Sequence, residues 1–385
     1  MAVPLHPALR TSIWVVAAPL ALYSVFISLA MIPFFQRQIS TLRWTDLNKP
    51  EQWGFATNQV TPFGLTTSDG ETLYAWHIMP LPLYLENEGS LAKQKPGYAD
   101  DVTATESFRL LKEDPNSRVV LYFHGAIRPS SYHALTDTSS YHVVAVDYRG
   151  YGHSTGVPSE EGVIEDASAL VEWATTVAGI PPERLVLLGQ SLGTAIVSAV
   201  AERYSEKGVE FAGVVLVAGF SDLATMLSEY RIGGLFPVLA PFRAWPFLLK
   251  LLRRCVVDKW RSTDRLGGLV RNTRNRLRLS LVHAKDDPDI PWSEDNKLFK
   301  AAVSESVGIS NDTEFDEWKE ERTVHQGADA FVSTWKSEPD IVVRQEVFPY
   351  GGHNNIMGYA PVSAAIMRSF DLLGAVSNQT IHTLI

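Results

Sequence analysis

Between Leu185 and Val200 an apolar run meets Gly189-Gln190-Ser191-Leu192-Gly193 and passes straight into Thr-Ala-Ile-Val-Ser-Ala-Val. The first run has the length of a buried strand and the second the small side chains of a closely packed helix, so the residues between must turn the chain sharply. In so tight a turn the backbone crosses itself, and a side chain at Gly189 or Gly193 would strike the neighbouring strand or helix. Ser191 is then held at the tip of a strand, turn and helix, as a candidate nucleophile. The plain alternative is a glycine-flanked serine in an ordinary turn, since the chain has 26 glycines in 385 residues. The surrounding sequence decides between the two.

Further apolar runs read as strands at 118–123, 142–146, 211–217, 277–282 and 341–348. Strands near 61–67 and 72–79, joined at Ser68-Asp69-Gly70, read as a hairpin. Helices are expected at 160–177, where Ser159 can cap and Glu160 and Glu161 suit the positive end, and near 360–372. The stretch 81–117 is polar and punctuated by Pro and Gly, with a short helical patch around 104–113. Strands alternating with helical segments imply an α/β fold with a mostly parallel sheet covered on both faces. A 45% hydrophobic chain supplies the core for such a domain over 60–385. The formal charge of −9 and the absence of a basic block argue against a nucleic-acid partner. A single cysteine, Cys255, rules out an intrachain disulfide and a Cys-based zinc site.

After a tail at 1–10, residues 11–36 carry no charge and are long enough to cross a bilayer as a helix. A secretory signal is the competing reading, although its apolar region is usually shorter. Residues 37–59 read as a membrane-proximal linker. Basic residues beyond the span lean toward a cytosolic domain, whereas the sequons at Asn311 and Asn378 lean toward a lumenal one. Within the domain, 221–265 is strongly apolar in its middle yet broken by Pro237, Pro241 and Pro246, which suits a lid of short helices over an apolar pocket, and Arg243, Lys250, Arg253 and Arg254 would suit a membrane surface. Residues 301–340 are acidic and weakly periodic, and read as a surface insertion, partly helical at best.

A serine hydroxyl needs a base within hydrogen-bond reach and an acid to orient that base. On a wound sheet the order along the chain is Ser, then Asp or Glu, then His. After the strand 277–282 comes His283-Ala-Lys-Asp286-Asp287-Pro-Asp289, with three aspartates competing for the acid. Asp287 is preferred because the chain has left the strand there and can turn its carboxylate toward a neighbouring loop; Asp286 and then Asp289 follow. His353 lies in a Gly-rich loop directly after the last strand, placing it as the base. The oxyanion would be met by the backbone N–H of Leu192 and by a second amide in the loop after 118–123, where Ala126 is preferred to Ile127. His124 buttresses that loop, and Asp147, Arg149, His153 and Ser154 in the 147–160 loop read as structural or pocket-lining. None of this requires a metal or an organic cofactor.

The segments HG after a strand, DYRGYGHSTGVPSEEG, GQSLGTA, HAKDDPDIP and the late GGH resemble the α/β-hydrolase superfamily. GVPSEEG and the N-terminal span resemble in particular its membrane-anchored monoacylglycerol and lysophosphatidylserine lipase branch, together with the Bem46-like serine hydrolases. The resemblance implies a serine hydrolase acting on lipid esters, with Ser191, Asp287 and His353 as its triad. It also implies a single-pass anchor in the endoplasmic reticulum and a lumenal catalytic domain. A protein-acyl thioesterase or peptidase of the same fold, and a hydrolase-like scaffold without turnover, are the alternatives.

Overall fold

The computed structural model describes residues 46–125, 129–137, 139–229, 245–309, 311–327 and 329–370. The domain opens with an antiparallel hairpin, β1 (Val60–Thr66) and β2 (Thr72–Ile78), whose register pairs Thr66 with Thr72. Helices α1 (Leu81–Leu91) and α2 (Glu106–Glu113) follow. Strand and helix then alternate through β3 (Val119–Phe123), α3 (Pro129–Thr136), β4 (His142–Val146) and α4 (Glu160–Glu172). The alternation continues through β5 (Leu185–Gln190), α5 (Leu192–Glu206) and β6 (Gly213–Val217). Ser159 caps α4 through a 3.2 Å bond from the Gly162 amide to its hydroxyl, an interaction worth about 1 kcal/mol.

After β6 come α6 (Leu223–Glu229), α7 (Pro246–Cys255), α8 (Ser262–Asn272) and β7 (Leu277–Ala284). The chain closes with α9 (Ser293–Val307), α10 (Asp312–Glu320), β8 (Thr323–Gln326), β9 (Ala330–Ser337), β10 (Ile341–Phe348) and α11 (Ala360–Ser369). Among the described residues the strands form one sheet in the order β1-β2-β4-β3-β5-β6-β7-β10-β9-β8. The run from β4 to β10 is parallel, and an antiparallel pair extends it at each end.

Strands β3, β4, β5 and β6 are buried at every position, as parallel strands covered on both faces must be. Their alternating side chains feed two cores. Leu121, Leu187 and Leu216 pack with α4, α5, α8 and α9 on one face; Tyr122, Leu188 and Val217 pack with α3 and α11 on the other. This two-sided burial fixes the strand ends, so the loops after β5, β7 and β10 emerge at one edge of the sheet, where ligands of wound sheets bind.

Two stretches differ from the sequence-based expectation. The expected surface insertion at 301–340 instead completes α9 and supplies α10, β8 and β9, the last pairing along β10 from Ile341–Ser337 to Val347–Phe331. Its strand character is hidden because β8 lies at the sheet edge with three of its four residues exposed, while β9 buries only part of its length. Phe315 of α10 is buried against Phe299 of α9, so this segment shares the core. Residues 81–91 form a helix rather than a polar loop: Pro82 sits in its first turn, where the missing N–H costs nothing, and Tyr84 and Leu91 are buried.

The apolar span 11–36 and the linker up to residue 45 lie outside the described residues, among which no helix is long and apolar enough to cross a membrane. Of the lid expected over 221–265, residues 230–244 also lie outside them. The described remainder contains α6, α7 and the start of α8, with Pro246 at the first position of α7.

Candidate active site

Ser191 joins β5 to α5 at φ +53° and ψ −120°, a conformation that costs an L-residue energy and persists only where the surroundings enforce it. A Cβ added at Gly193 would lie 1.8 Å from the Phe123 carbonyl oxygen, and one at Gly189 would lie 2.4 Å from the Gly193 carbonyl oxygen. The Ser191 amide donates to Val217 O at 3.0 Å, tying the turn to β6. The side chain of Ser191 makes no cap bond to α5, which leaves its hydroxyl for other partners.

That hydroxyl lies 3.0 Å from His353 Nε2, and His353 Nδ1 lies 2.8 Å from Asp287 Oδ2. Three loops widely spaced in the chain thus bring Ser191, His353 and Asp287 into one hydrogen-bonded line. The Asp287 side chain is fully buried, and its Oδ1 accepts the amides of Asp289 and Ile290, both at 2.9 Å. Burial alone would raise its pKa, but hydrogen bonds from His283 and His353 outweigh it and hold the carboxyl well below the usual carboxylate range. An ionised Asp287 accepts the Nδ1 proton of His353 and so leaves Nε2 as the acceptor facing Ser191.

The competing aspartates have other places. Asp286 Oδ1 accepts the Gly352 amide at 2.7 Å, anchoring the loop that presents His353. Asp289 sits beside the line: Asp287, Asp289 and His353 bring ligand atoms within 4.8 Å of one another, the closest approach to a metal-ligand set among the described residues. Two of those three groups are already joined by the hydrogen bond between His353 and Asp287.

Of the two amides expected to meet an oxyanion, Leu192 N–H opens α5, and the first amides of a helix have no intrahelical acceptor. Ala126, with Ile127, lies outside the described residues. Gly125 just before it packs directly on the serine, since a Cβ there would stand 2.7 Å from Ser191 Cβ. His124 is buried, with Nε2 3.0 Å from Val146 O and its own carbonyl accepting from Tyr148 Oη at 2.9 Å, which holds the loop; burial lowers its pKa.

The 147–160 loop is likewise held in place. Arg149 pairs with Asp69 of the hairpin turn at 2.7 Å and with the buried Asp166 of α4 at 2.8 Å. Ser154 Oγ donates to Asp147 O at 2.6 Å and accepts the Tyr74 amide at 2.9 Å.

Two contributors went unnoticed in the sequence. Gln190 donates through Nε2 to the His353 carbonyl at 3.2 Å and accepts from Tyr122 Oη at 2.8 Å, linking the serine strand to the histidine loop. His283 contacts Asp287 from behind. Gln190 had one faint signal, a polar residue closing an otherwise apolar buried strand.

A wound sheet with this strained serine turn defines the class: the α/β hydrolase family model matches residues 120–361, and the chain belongs to that family. It is similar to the mouse lysophosphatidylserine lipase ABHD12, with 26% identity over 72% of this chain and 63% of the relative. It is also similar to the human protein ABHD12B, with 31% identity over 67% of this chain and 65% of the relative. The aligned part of the chain therefore spans just under two thirds of the length of these relatives. An esterase structure from Pyrococcus furiosus overlaps 85% of this chain and 93% of its own, at TM-score 0.45 and 15% identity, a likeness too distant to inform the chemistry.

Proposed function

We propose that this α/β hydrolase is a serine esterase that cleaves carboxylic esters of amphiphilic lipids, of the monoacylglycerol or lysophospholipid type, through an acyl-serine intermediate. The observation that carries the reading is the unbroken line from Ser191 through His353 to Asp287, at 3.0 and 2.8 Å. Ser191 Oγ attacks the ester carbonyl carbon as His353 Nε2 takes its proton; Asp287 stabilises the resulting imidazolium. The oxyanion is met by the Leu192 amide and, in this reading, the Ala126 amide. His353 then returns the proton to the leaving alcohol oxygen, the C–O bond breaks, and water attacks the acyl-serine by the same route in reverse roles. The chemistry needs no metal or organic cofactor.

Similarity to a lysophosphatidylserine lipase supports a lipid substrate. Residues 11–36 serve as a single-pass anchor in this reading, with the catalytic domain in the lumen of the endoplasmic reticulum and the 221–265 segment as a lid. The start of α7 supports contact with a bilayer: Trp245 and Phe247 are 53% and 68% exposed, and Lys250 and Arg254 face solvent beside them. The test is hydrolysis of lysophosphatidylserine, a monoacylglycerol and a short p-nitrophenyl ester by the full chain and by Ser191→Ala. Turnover that vanishes in the variant at unchanged melting temperature supports the reading; turnover retained there removes Ser191 from the mechanism.

A further inference from the structure

His283, the next-to-last residue of β7, is a second histidine on Asp287 that the mechanism above does not use. Its side chain and those of Asp287 and Asp295 are fully buried. Nδ1 lies 3.1 Å from Asp295 Oδ1, while Nε2 lies 3.0 Å from the Ile290 carbonyl and 3.3 Å from Asp287 Oδ2. Each of these contacts is an acceptor. A neutral imidazole has one N–H and one lone pair, so an ionised Asp295 and the Ile290 carbonyl cannot both be satisfied by it; an imidazolium satisfies both.

We propose that His283 is a positioning residue: a buried imidazolium, held by Asp295, that keeps Asp287 ionised and aimed at His353. The inference rests on the serine-esterase reading and deepens it. Two buried carboxylates share this ring, and without a cation between them their repulsion would drive a proton onto one. A protonated Asp287 could not stabilise the imidazolium of His353.

The charged groups around the ring are consistent with this role. Asp287 faces it from its own loop, Asp295 and Glu294 from α9, Lys319 from α10, and His353 lies beyond Asp287. Glu294 is occupied by the Ser221 amide at 2.7 Å and by Lys297. Lys319 bonds Asn296 at 2.7 Å, and burial lowers it to about 8. Burial pulls the His283 pKa down, but Asp295 and Asp287 together push it up to about 10. Burial pushes Asp295 up against the pull of His283 and Lys319, which defines the rival arrangement: a protonated Asp295 donating to a neutral ring.

The active form requires Asp287 ionised and His353 neutral. Removing a neighbouring positive charge raises the proton affinity of that couple, so activity is lost at a higher pH on acidification. His283→Gln, which keeps a side-chain donor without the charge, is expected to shift the acid limb of kcat/KM upward by about one pH unit. Ser191 should remain reactive toward a fluorophosphonate at pH 8. A purely structural role would lower activity at every pH and leave the limb in place; an unmoved acid limb in the folded variant overturns the proposal.

Nitrogen-15 NMR of histidine-labelled full-length protein decides the matter independently of folding in the variant and of turnover. Two protonated ring nitrogens on His283 at pH 8 support the proposal, and a neutral ring there overturns it. If the wild type lacks esterase turnover, the serine-esterase reading fails on that assay while the NMR result still reports the charge on His283.

Discussion

Two regions of this molecule hold a serine, a histidine and an aspartate close together, and they are built to opposite ends. In the 147–160 loop the Ser154 hydroxyl is consumed by backbone, donating to Asp147 O and accepting from the Tyr74 amide, while the His153 ring lies edge-on to Tyr74, 5.0 Å between centroids. At the sheet edge the Ser191 hydroxyl makes no cap bond, and its partner is a ring nitrogen. Residue type is shared by both regions. What separates them is backbone: a strained residue between two glycines on one side, a saturated turn pinned by Arg149 on the other. In the proposed mechanism, reactivity follows from a hydroxyl that the fold leaves unspent beside a base that a buried carboxylate orients.

The contrast can be broken by substitution. Asp287→Asn keeps the shape of the acid but removes its charge, so His353 can take the wrong tautomer; kcat should fall about 10⁴-fold with the fold intact, read by steady-state kinetics and circular dichroism. A loss under tenfold would mean Asp286 or Asp289 can substitute. In the other region the expected damage is to stability. Arg149→Met strands the buried Asp166 carboxylate, whose pKa burial already raises to about 6, and should cost about 3–5 kcal/mol in denaturant unfolding. Ser154→Ala is expected to cost about 1 kcal/mol by removing the acceptor of the Tyr74 amide, with kcat of the folded fraction unchanged. A large kcat defect in Ser154→Ala would erase the distinction between the two regions.

The parts of the fold that the sequence exposes are those where burial leaves a continuous mark. Strands β3 to β6 are covered on both faces, so their residues are apolar apart from His142 at the start of β4 and Gln190 at the end of β5, and the five residues after Leu188 contain the glycines that the crossing backbone demands. Asp287 stands out from Asp286 and Asp289 only by reach, and in the structure Asp287 is the one at hydrogen-bond distance from His353. Edge elements leave a weaker mark. β8 shows solvent most of its side chains, and its strand character is decided by pairing with β9 rather than by its own composition. The role of Gln190 is long-range, since it meets a carbonyl 163 residues away, and His283, although only four residues from Asp287, is held by a carboxylate on the next helix. No local pattern encodes such partners.

The central claim is that one hydroxyl in this chain is chemically activated by its place in the fold. Treating the full-length protein with a fluorophosphonate and mapping the adduct by mass spectrometry tests it most directly. The account predicts a single modified serine, Ser191, with labelling lost in His353→Ala; a chain that stays unlabelled, or that carries the adduct on Ser154, would contradict it.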